Sequence, residues 1–288
     1  MTEEPTRPIT YPSLDSRIRV FRHGDIVDTF AVLTERFLVL IDTATRPEAM
    51  EAVLAALEPH RGNRALLVVN THGDWDHVWG NAVFDAPRAP ILAHRLAPMR
   101  MVGPQAEAHL ASLRAEHPGI YGRVRLTPPT MTAERCEIDG GDLVLHLIPT
   151  PGHTPDHLAI WIPQIRCLLA GDAAEIPFPL VSEDGSLSQL QRSLHLMHDL
   201  EPRTVLYCHA PGRTDGGVIA ANLTYFDELE ARCREAGPGA GPDDLNWPLE
   251  EALPAGMTLD AVSDLDFYRR FHAANITAAL KERAEETT

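Results

Sequence analysis

The sequence predicts an α+β fold in which two packed β-sheets carry helices on their outer faces. The first observation is the order of elements, because strands followed by helices occur in one half of the chain and again in the other. The second is a set of short apolar runs, each ending in a single His or Asp. The third is composition: 288 residues with 44% hydrophobic side chains are enough for a sizeable core.

The first half begins with three runs that predict an antiparallel meander, Arg17–His23, Asp28–Thr34 and Phe37–Asp42. A capping box starting at Thr45 then predicts a helix with Pro47 in its first turn. The apolar run Ala65–Asn70 predicts a buried strand.

A Met-bearing helical segment follows at residues 95–126, which is either a packed helix pair or a lid over a pocket. Four strands are predicted after this segment, and three helices and a fifth strand follow them. The predicted strands are Cys136–Ile138, Leu143–Ile148, Leu158–Ile162, Cys167–Ala170 and Thr204–Cys208, and the predicted helices are Leu187–Met197, Val218–Cys233 and Asp264–Glu285.

Charge and hydropathy exclude several classes of function. With 25 Lys and Arg against 41 Asp and Glu, the net charge is −16, which disfavours partners such as nucleic acids and acidic membrane surfaces. No apolar run is longer than Ala52–Leu57, and residues 1–5 do not resemble a secretory signal. We therefore expect a cytoplasmic protein that acts on a small molecule, with a homo-oligomer left open.

The four cysteines, Cys136, Cys167, Cys208 and Cys233, have no CxxC spacing and are expected to be reduced. Cys208 precedes His209, so it is either a thiolate nucleophile or a buried thiol at a strand end, and the apolar residues before it favour the second. Against these stand 14 His, so a metal site in this chain would use imidazole and carboxylate ligands.

The most informative segment follows the strand Ala65–Asn70 and holds His72, Asp74, Asp76 and His77. A loop can turn the first two side chains to one side and the last two to the other, which suits two neighbouring cations. His and Asp also cluster in loops as turn and cap residues. That second interpretation does not explain why ligand-type residues also end other strands.

Four further residues end apolar runs. They are Asp42, His153 in the sequence Pro-Gly-His-Thr, Asp172 and His209. A rigid scaffold presents metal ligands in this way.

This ordered set resembles the metallo-β-lactamase-fold superfamily, which includes glyoxalase II-like hydrolases, lactonases and flavodiiron proteins. The resemblance covers about residues 17–235. It implies a four-layer αβ/βα sandwich of two mixed β-sheets with helices outside. The chain would be a single domain, 1–288, with a helical insertion at about 95–126 and a C-terminal helical extension at about 243–288.

The resemblance also implies the roles of the residues. His72, Asp74 and His153 would hold one metal, and Asp76, His77 and His209 would hold a second. Asp172 would bridge the two metals, and Asp42 would orient a ligand without binding metal itself. Asp76 and Asp172 are the expected catalytic residues. The expected cofactors are two divalent ions, zinc first and iron or manganese as alternatives.

The sequence departs from the family pattern at Asp74, because HxDxDH replaces HxHxDH. A third carboxylate adds negative charge and favours harder metals such as iron or manganese. Flavodiiron proteins are similar at this position, where they have Glu.

Five other side chains leave two interpretations open. His157 is expected to support the site and not to bind metal. His94 ends a strand and either faces the pocket or makes ordinary hydrogen bonds. Trp75 and Trp79 are expected to pack beneath the loop. His272, on the terminal helix, either docks over the metals or belongs to an amphipathic face.

The sequence therefore predicts a dinuclear metallohydrolase in which a metal-bridging hydroxide attacks a small ester, thioester or lactone. The absence of Tyr from residues 173–206 disfavours a lactonase, and a β-lactam substrate is compatible with the fold alone. The alternative is a non-haem iron oxidoreductase, similar to flavodiiron proteins or sulfur dioxygenases. A binding module that has lost one metal is a third possibility.

Overall fold

The computed structural model describes residues 5–84, 89–237, 239–259, 262 and 264–286. They fall into two compact units, one within 1–149 and 158–169, the other within 150–157 and 170–288. The single-domain assignment stays a prediction. Residues 1–4, used for the expectation about a signal, and residues 260, 261, 263, 287 and 288 of the predicted C-terminal extension lie outside the described residues.

The first unit contains a mixed seven-stranded sheet in which the strands follow chain order from β1 to β7. Pairs from β1 to β4 are antiparallel, and pairs from β4 to β7 are parallel. The strands are β1 (Thr6–Ile9), β2 (Ile18–His23), β3 (Val27–Leu33), β4 (Phe37–Ile41), β5 (Ala65–Val69), β6 (Ile91–His94) and β7 (Met131–Ala133). The predicted meander corresponds to β2, β3 and β4. The sequence patterns do not predict β1 and β7.

Four further strands of this unit belong to a second sheet, in which each pairs antiparallel with the next. They are β8 (Cys136–Asp139), β9 (Val144–Pro149), β10 (Leu158–Ile162) and β11 (Cys167–Leu169).

Helix α1 (Pro47–Arg61) buries Met50, Val53 and Leu57 against the core of the first sheet. The capping box predicted at Thr45 is wrong, because the residue before the helix is Arg46, whose side chain makes no capping hydrogen bond. The helix begins with Pro47, which needs no hydrogen-bond partner for its nitrogen in the first turn.

The segment 95–126 contains three helices, α3 (Ala97–Val102), α4 (Pro104–Glu116) and α5 (Pro118–Tyr121). They pack on both tryptophans next to the ligand loop. Trp75 belongs to α2 (Trp75–Val78), and Trp79 begins a 3-10 helix (Trp79–Val83). The Tyr121 ring meets both indoles edge-on. The two Trp side chains are therefore packing residues, as expected.

The second unit is mainly helical. It contains α6 (Leu187–Asp199), α7 (Gly217–Ala236), α8 (Leu249–Ala252), α9 (Leu265–Glu286) and the strand β12 (Thr204–Leu206). Ser186 caps α6, since its side chain accepts a hydrogen bond from the Gln189 backbone. Helix α9 packs on α6 and α7.

The α+β prediction is confirmed, and the mixed first sheet is the expected kind. Among the described residues, none of the helices has the length and apolar character needed to cross a bilayer.

Candidate metal centre

The ligand loop of the first unit is placed by two parallel strands. β4 and β5 pair in parallel with Ile41 opposite Val69, so Asp42 and Asn70 leave the sheet at the same edge. The segment after β4 then holds the loop, because the His77 carbonyl accepts hydrogen bonds from the Thr43 backbone (2.7 Å) and the Thr43 hydroxyl (3.1 Å). Gly80 is required here, since a Cβ at this position would lie 1.9 Å from the Thr43 carbonyl oxygen.

Asp42 is fully buried and orients two ligand-type residues. Its Oδ1 accepts from the Thr71 backbone at 2.7 Å, and its Oδ2 accepts from the Thr71 hydroxyl at 2.8 Å. Oδ2 also lies 2.9 Å from Nδ1 of His77. Since an ionised carboxylate only accepts, the His77 proton is on Nδ1 and the lone pair is on Nε2.

The same argument orients His72. The Thr71 hydroxyl gives its proton to Asp42, so its oxygen accepts from Nδ1 of His72, 3.1 Å away. Both imidazoles therefore present an unprotonated Nε2, which is the form that binds metals.

These nitrogens lie beside carboxylate oxygens at a spacing typical of metal ligands. His72 Nε2 is 3.5 Å from Asp74 Oδ2, and His77 Nε2 is 3.5 Å from Asp76 Oδ2. Metal–ligand bonds of about 2.0–2.2 Å place neighbouring donors of a tetrahedral ion roughly 3.3–3.6 Å apart. The first unit therefore offers two donor pairs of the right chemistry and spacing.

A residue that the sequence did not indicate joins this group. The Nη2 atom of Arg100, on α3, lies 2.7 Å from Asp74 Oδ1. Arg100 is 26 positions from Asp74 in a helical segment. An Arg in such a segment is expected to be an ordinary surface residue, so the sequence gives no signal for the pair.

The second unit holds the other predicted ligands. Asp172 lies in a short 3-10 helix, Gly171–Ala173, and its backbone N–H donates to Nε2 of His157 at 3.0 Å. Nδ1 of His157 donates to the Thr150 hydroxyl at 2.8 Å. Both ring nitrogens of His157 are therefore used to hold the backbone of Asp172, which is the supporting role that we expected.

One oxygen of Asp172 lies near two imidazoles. Oδ2 is 3.1 Å from His209 Nε2 and 3.9 Å from His153 Nε2. A carboxylate between two imidazoles has the arrangement expected of a group shared by two cations.

His153 is fixed through its other nitrogen. Nδ1 donates to the Leu180 carbonyl at 2.8 Å, so Nε2 carries the lone pair. The Leu180 segment is itself held by Asn275 of α9, which accepts from the Val181 backbone at 2.7 Å and donates to the Pro179 carbonyl at 2.9 Å. Asn275 is a second supporting residue that the sequence did not indicate.

Helix α9 also contributes Tyr268, which hydrogen-bonds Glu175. Burial raises the pKa of Tyr268, and the negative charges of Glu175 and Asp172 raise it further, so the phenol keeps its proton. His272, one turn along, has both ring nitrogens engaged, by the Tyr225 hydroxyl (2.9 Å) and the Trp247 carbonyl (2.8 Å). Burial lowers the pKa of His272. His272 is therefore a neutral packing residue in α9.

Two of the open interpretations concern His94 and Cys208. Nδ1 of His94 accepts from the Leu96 backbone at 3.3 Å, which is an ordinary hydrogen bond at a strand end. Cys208 is buried after β12, and none of the four cysteines forms a disulfide. The interpretation of Cys208 as a buried thiol is favoured.

The donor set fits a divalent cation. In each unit, an imidazole has one nitrogen hydrogen-bonded and presents the other beside a carboxylate oxygen, which is how proteins prepare histidine for metal binding.

Comparisons with known proteins identify the family. A family model described as the metallo-beta-lactamase superfamily matches residues 24–209. The hydroxyacylglutathione hydrolase of Rhodospirillum rubrum is 26% identical over 189 residues, which are 63% of this chain and 64% of that protein. A second relative of the same name, from Methylococcus capsulatus, is 29% identical over 57% of this chain and 55% of its own length. The chain thus spans less than two thirds of the length of these relatives.

The fold is also found in solved structures. A metallo-β-lactamase family protein from Thermus thermophilus superposes with a TM-score of 0.63 at 20% identity, over 98% of this chain and 92% of that chain.

Proposed function

Because the chain belongs to the metallo-β-lactamase superfamily, we propose that it is a dinuclear metal-dependent hydrolase of a small ester, thioester or lactone. One observation carries the proposal. Nε2 of His77 in the first unit and Nε2 of His153 in the second carry a lone pair, because Nδ1 of each ring is hydrogen-bonded, and they lie 3.5 Å and 3.9 Å from a carboxylate oxygen of their own unit.

The proposed ligands are those that the family resemblance implies. Position one comprises His72, Asp74 and His153. Position two comprises Asp76, His77 and His209, and Asp172 is shared between the positions. The two divalent ions, zinc in this proposal, would lower the pKa of a water molecule and polarise the carbonyl oxygen of the substrate.

The residues have separate tasks in this reaction. Asp172 fixes the spacing of the two positions, because its backbone is anchored by His157 and its Oδ2 faces two imidazoles. Asp74 already shares an oxygen with Arg100, which leaves Asp76 as the carboxylate proposed to take up the proton of the attacking hydroxide when its adduct with the substrate carbonyl breaks down and the leaving group departs. Asp42 keeps the proton of His77 on Nδ1.

Thioesters come first among the proposed substrates. Several curated relatives are named hydroxyacylglutathione hydrolases, and hydroxyacylglutathione is a thioester. The same names disfavour the iron oxidoreductase alternative. The cytoplasm stays the proposed compartment.

The test compares metal content and turnover in the wild type and matched variants. Plasma mass spectrometry is expected to find two metal ions per chain, and a panel of thioesters, lactones and small esters should show hydrolysis. Asp172→Ala should lose metal and nearly all turnover. His198→Ala, a change to an exposed imidazole on α6, serves as the control and should match the wild type. A wild-type protein that takes up no zinc, iron or manganese, or an Asp172→Ala variant with full turnover, would contradict the proposal.

A further inference from the structure

The two oxygens of Asp74 face different groups. Oδ1 lies 2.7 Å from the guanidinium of Arg100, and Oδ2 lies 3.5 Å from Nε2 of His72. The Arg100 side chain is only 19% exposed and the Asp74 side chain 31%. One oxygen of the carboxylate thus pairs with the Arg100 cation, and the other lies beside a histidine nitrogen of the kind that binds metals.

This pair differs from the exposed arginine pairs of the same unit, and its arginine is about as buried as Arg22, which pairs with Asp28. Arg95 meets Glu134 and Arg123 meets Glu51 with more than half of each arginine side chain exposed. Such exposed pairs are screened by water and contribute little. Arg100 is largely withdrawn from water, so its charge acts strongly on its partner.

The positive charge of Arg100 offsets the extra negative charge that Asp74 brings to the ligand motif. The family pattern has a neutral imidazole where this chain has Asp74, so the substitution adds one negative charge. Arg100 adds one positive charge at hydrogen-bond distance from that carboxylate. Together, Asp74 and Arg100 carry the same net charge as the imidazole that they replace.

We propose that Arg100 is a positioning residue for metal position one: it holds Oδ1 of Asp74, leaves Oδ2 as the single donor atom, and makes the Asp–Arg pair equivalent in charge to a histidine ligand. This inference rests on the proposed function, because it assumes that position one binds a divalent ion. It also predicts that zinc preference is retained despite the third carboxylate in the motif.

A double-mutant cycle with Asp74→His and Arg100→Met tests the pair. Nδ1 of His and Oδ of Asp are both attached to Cγ, so a histidine at position 74 reaches the same place. Methionine keeps much of the volume of arginine without its charge. Arg95→Met, which removes an exposed arginine just before α3, is the matched control.

Zinc and manganese affinities are measured by competition with a chromophoric chelator, and cobalt absorption spectra report the ligand set. Asp74→His alone should bind zinc at position one at least about tenfold more weakly, because the Arg100 cation is no longer compensated. Adding Arg100→Met should restore the affinity to within about threefold of the wild type. In the wild-type background, the same Arg100→Met change should shift the preference from zinc towards manganese by at least about threefold.

The opposite effects of Arg100→Met in the two backgrounds are the decisive result. A merely structural arginine would give the same effect in both, and that outcome would overturn the inference. If Asp74→His fails to fold, Arg100→Lys replaces it: a retained charge should keep the zinc preference that Arg100→Met loses, and equal preferences in the two variants would overturn the inference. A wild type that binds no metal refutes the proposed function as well, whereas two bound metals with an additive cycle refute only the role of Arg100.

Discussion

We predict that replacing Asp42 by asparagine weakens metal binding strongly and lowers the stability of the fold only modestly. In the wild type, the carboxylate accepts three hydrogen bonds, from the Thr71 backbone, the Thr71 hydroxyl and His77 Nδ1. An asparagine can keep its oxygen on the Thr71 backbone, but its NH₂ group then faces the His77 proton. The ring is expected to move that proton to Nε2, the atom that position two requires.

The expected magnitudes follow from those contacts. Asp42→Ala leaves three buried donors without an acceptor, which costs about 1–2 kcal/mol each, or roughly 3–6 kcal/mol of unfolding free energy. Alanine is also strained at the left-handed φ of 63° that this residue adopts, whereas asparagine tolerates it. Asp42→Asn should therefore cost about 1–3 kcal/mol, yet weaken metal binding at position two by about 10–100-fold.

The assay uses urea denaturation of the metal-free protein, so that bound metal does not contribute to the measured stability. Zinc affinity is measured separately, and nitrogen NMR shifts of the imidazole report which ring nitrogen carries the proton. An Asp42→Asn protein with the proton still on Nδ1 and zinc affinity equal to the wild type would refute the reasoning. A variant in which stability and affinity fall together, with no change of tautomer, would also refute it.

Three further predictions concern residues outside the ligand set. Burial lowers the pKa of His23 from its usual 6.5 to about 3. Between these values the unfolded chain binds a proton that the folded chain does not, so the stability that the neutral imidazole contributes is complete above pH 6.5 and is lost as the pH falls towards 3. Between pH 7 and pH 5, His23→Gln should therefore lose about 2 kcal/mol less stability than the wild type, and equal slopes would contradict this. Gly152→Ala should destabilise the protein by at least about 2 kcal/mol in thermal denaturation, because φ is +141° and the new Cβ would lie 2.2 Å from the α6 backbone. Its control is Gly216→Ala, where a Cβ meets open space and the melting temperature should stay the same. Asn275→Ala removes the hydrogen bonds on both sides of Leu180, so we expect a stability loss of about 2–4 kcal/mol together with weaker zinc binding; unchanged metal affinity in the folded variant would show that α9 does not orient the site.

The strands that precede ligand-type residues could be predicted from the sequence because their signal is local. Phe37–Ile41 and Ala65–Val69 are apolar runs, each followed directly by a polar residue. Parallel pairing then requires the ends of the two strands to meet at one edge of the sheet. By contrast, β1 contains a proline and β7 has only three residues, so neither gives a usable periodic pattern.

The supporting residues could not be predicted, because their roles depend on distant contacts. Asn275 follows Pro179 by 96 positions, and its polar side chain inside a helix gives no indication of the loop that it holds. Tyr268 gives no local signal that it reaches Glu175. An amphipathic pattern identifies the buried face of α9, but it does not identify which polar residue on that face finds a partner.

Because distant contacts give no local sequence signal, the motif alone is a misleading guide to the metal. HxDxDH carries one negative charge more than HxHxDH, and that excess is the reason to consider iron or manganese. The charge that a metal position experiences is set by every ionised group within a few ångströms, and Arg100 is such a group for Asp74. Once this pair is counted as a unit, the excess disappears and the departure from the family pattern no longer argues against zinc. A substitution in a ligand motif should therefore be interpreted together with the side chains that contact it, because a compensating charge is as much a part of the site as the ligand that it touches.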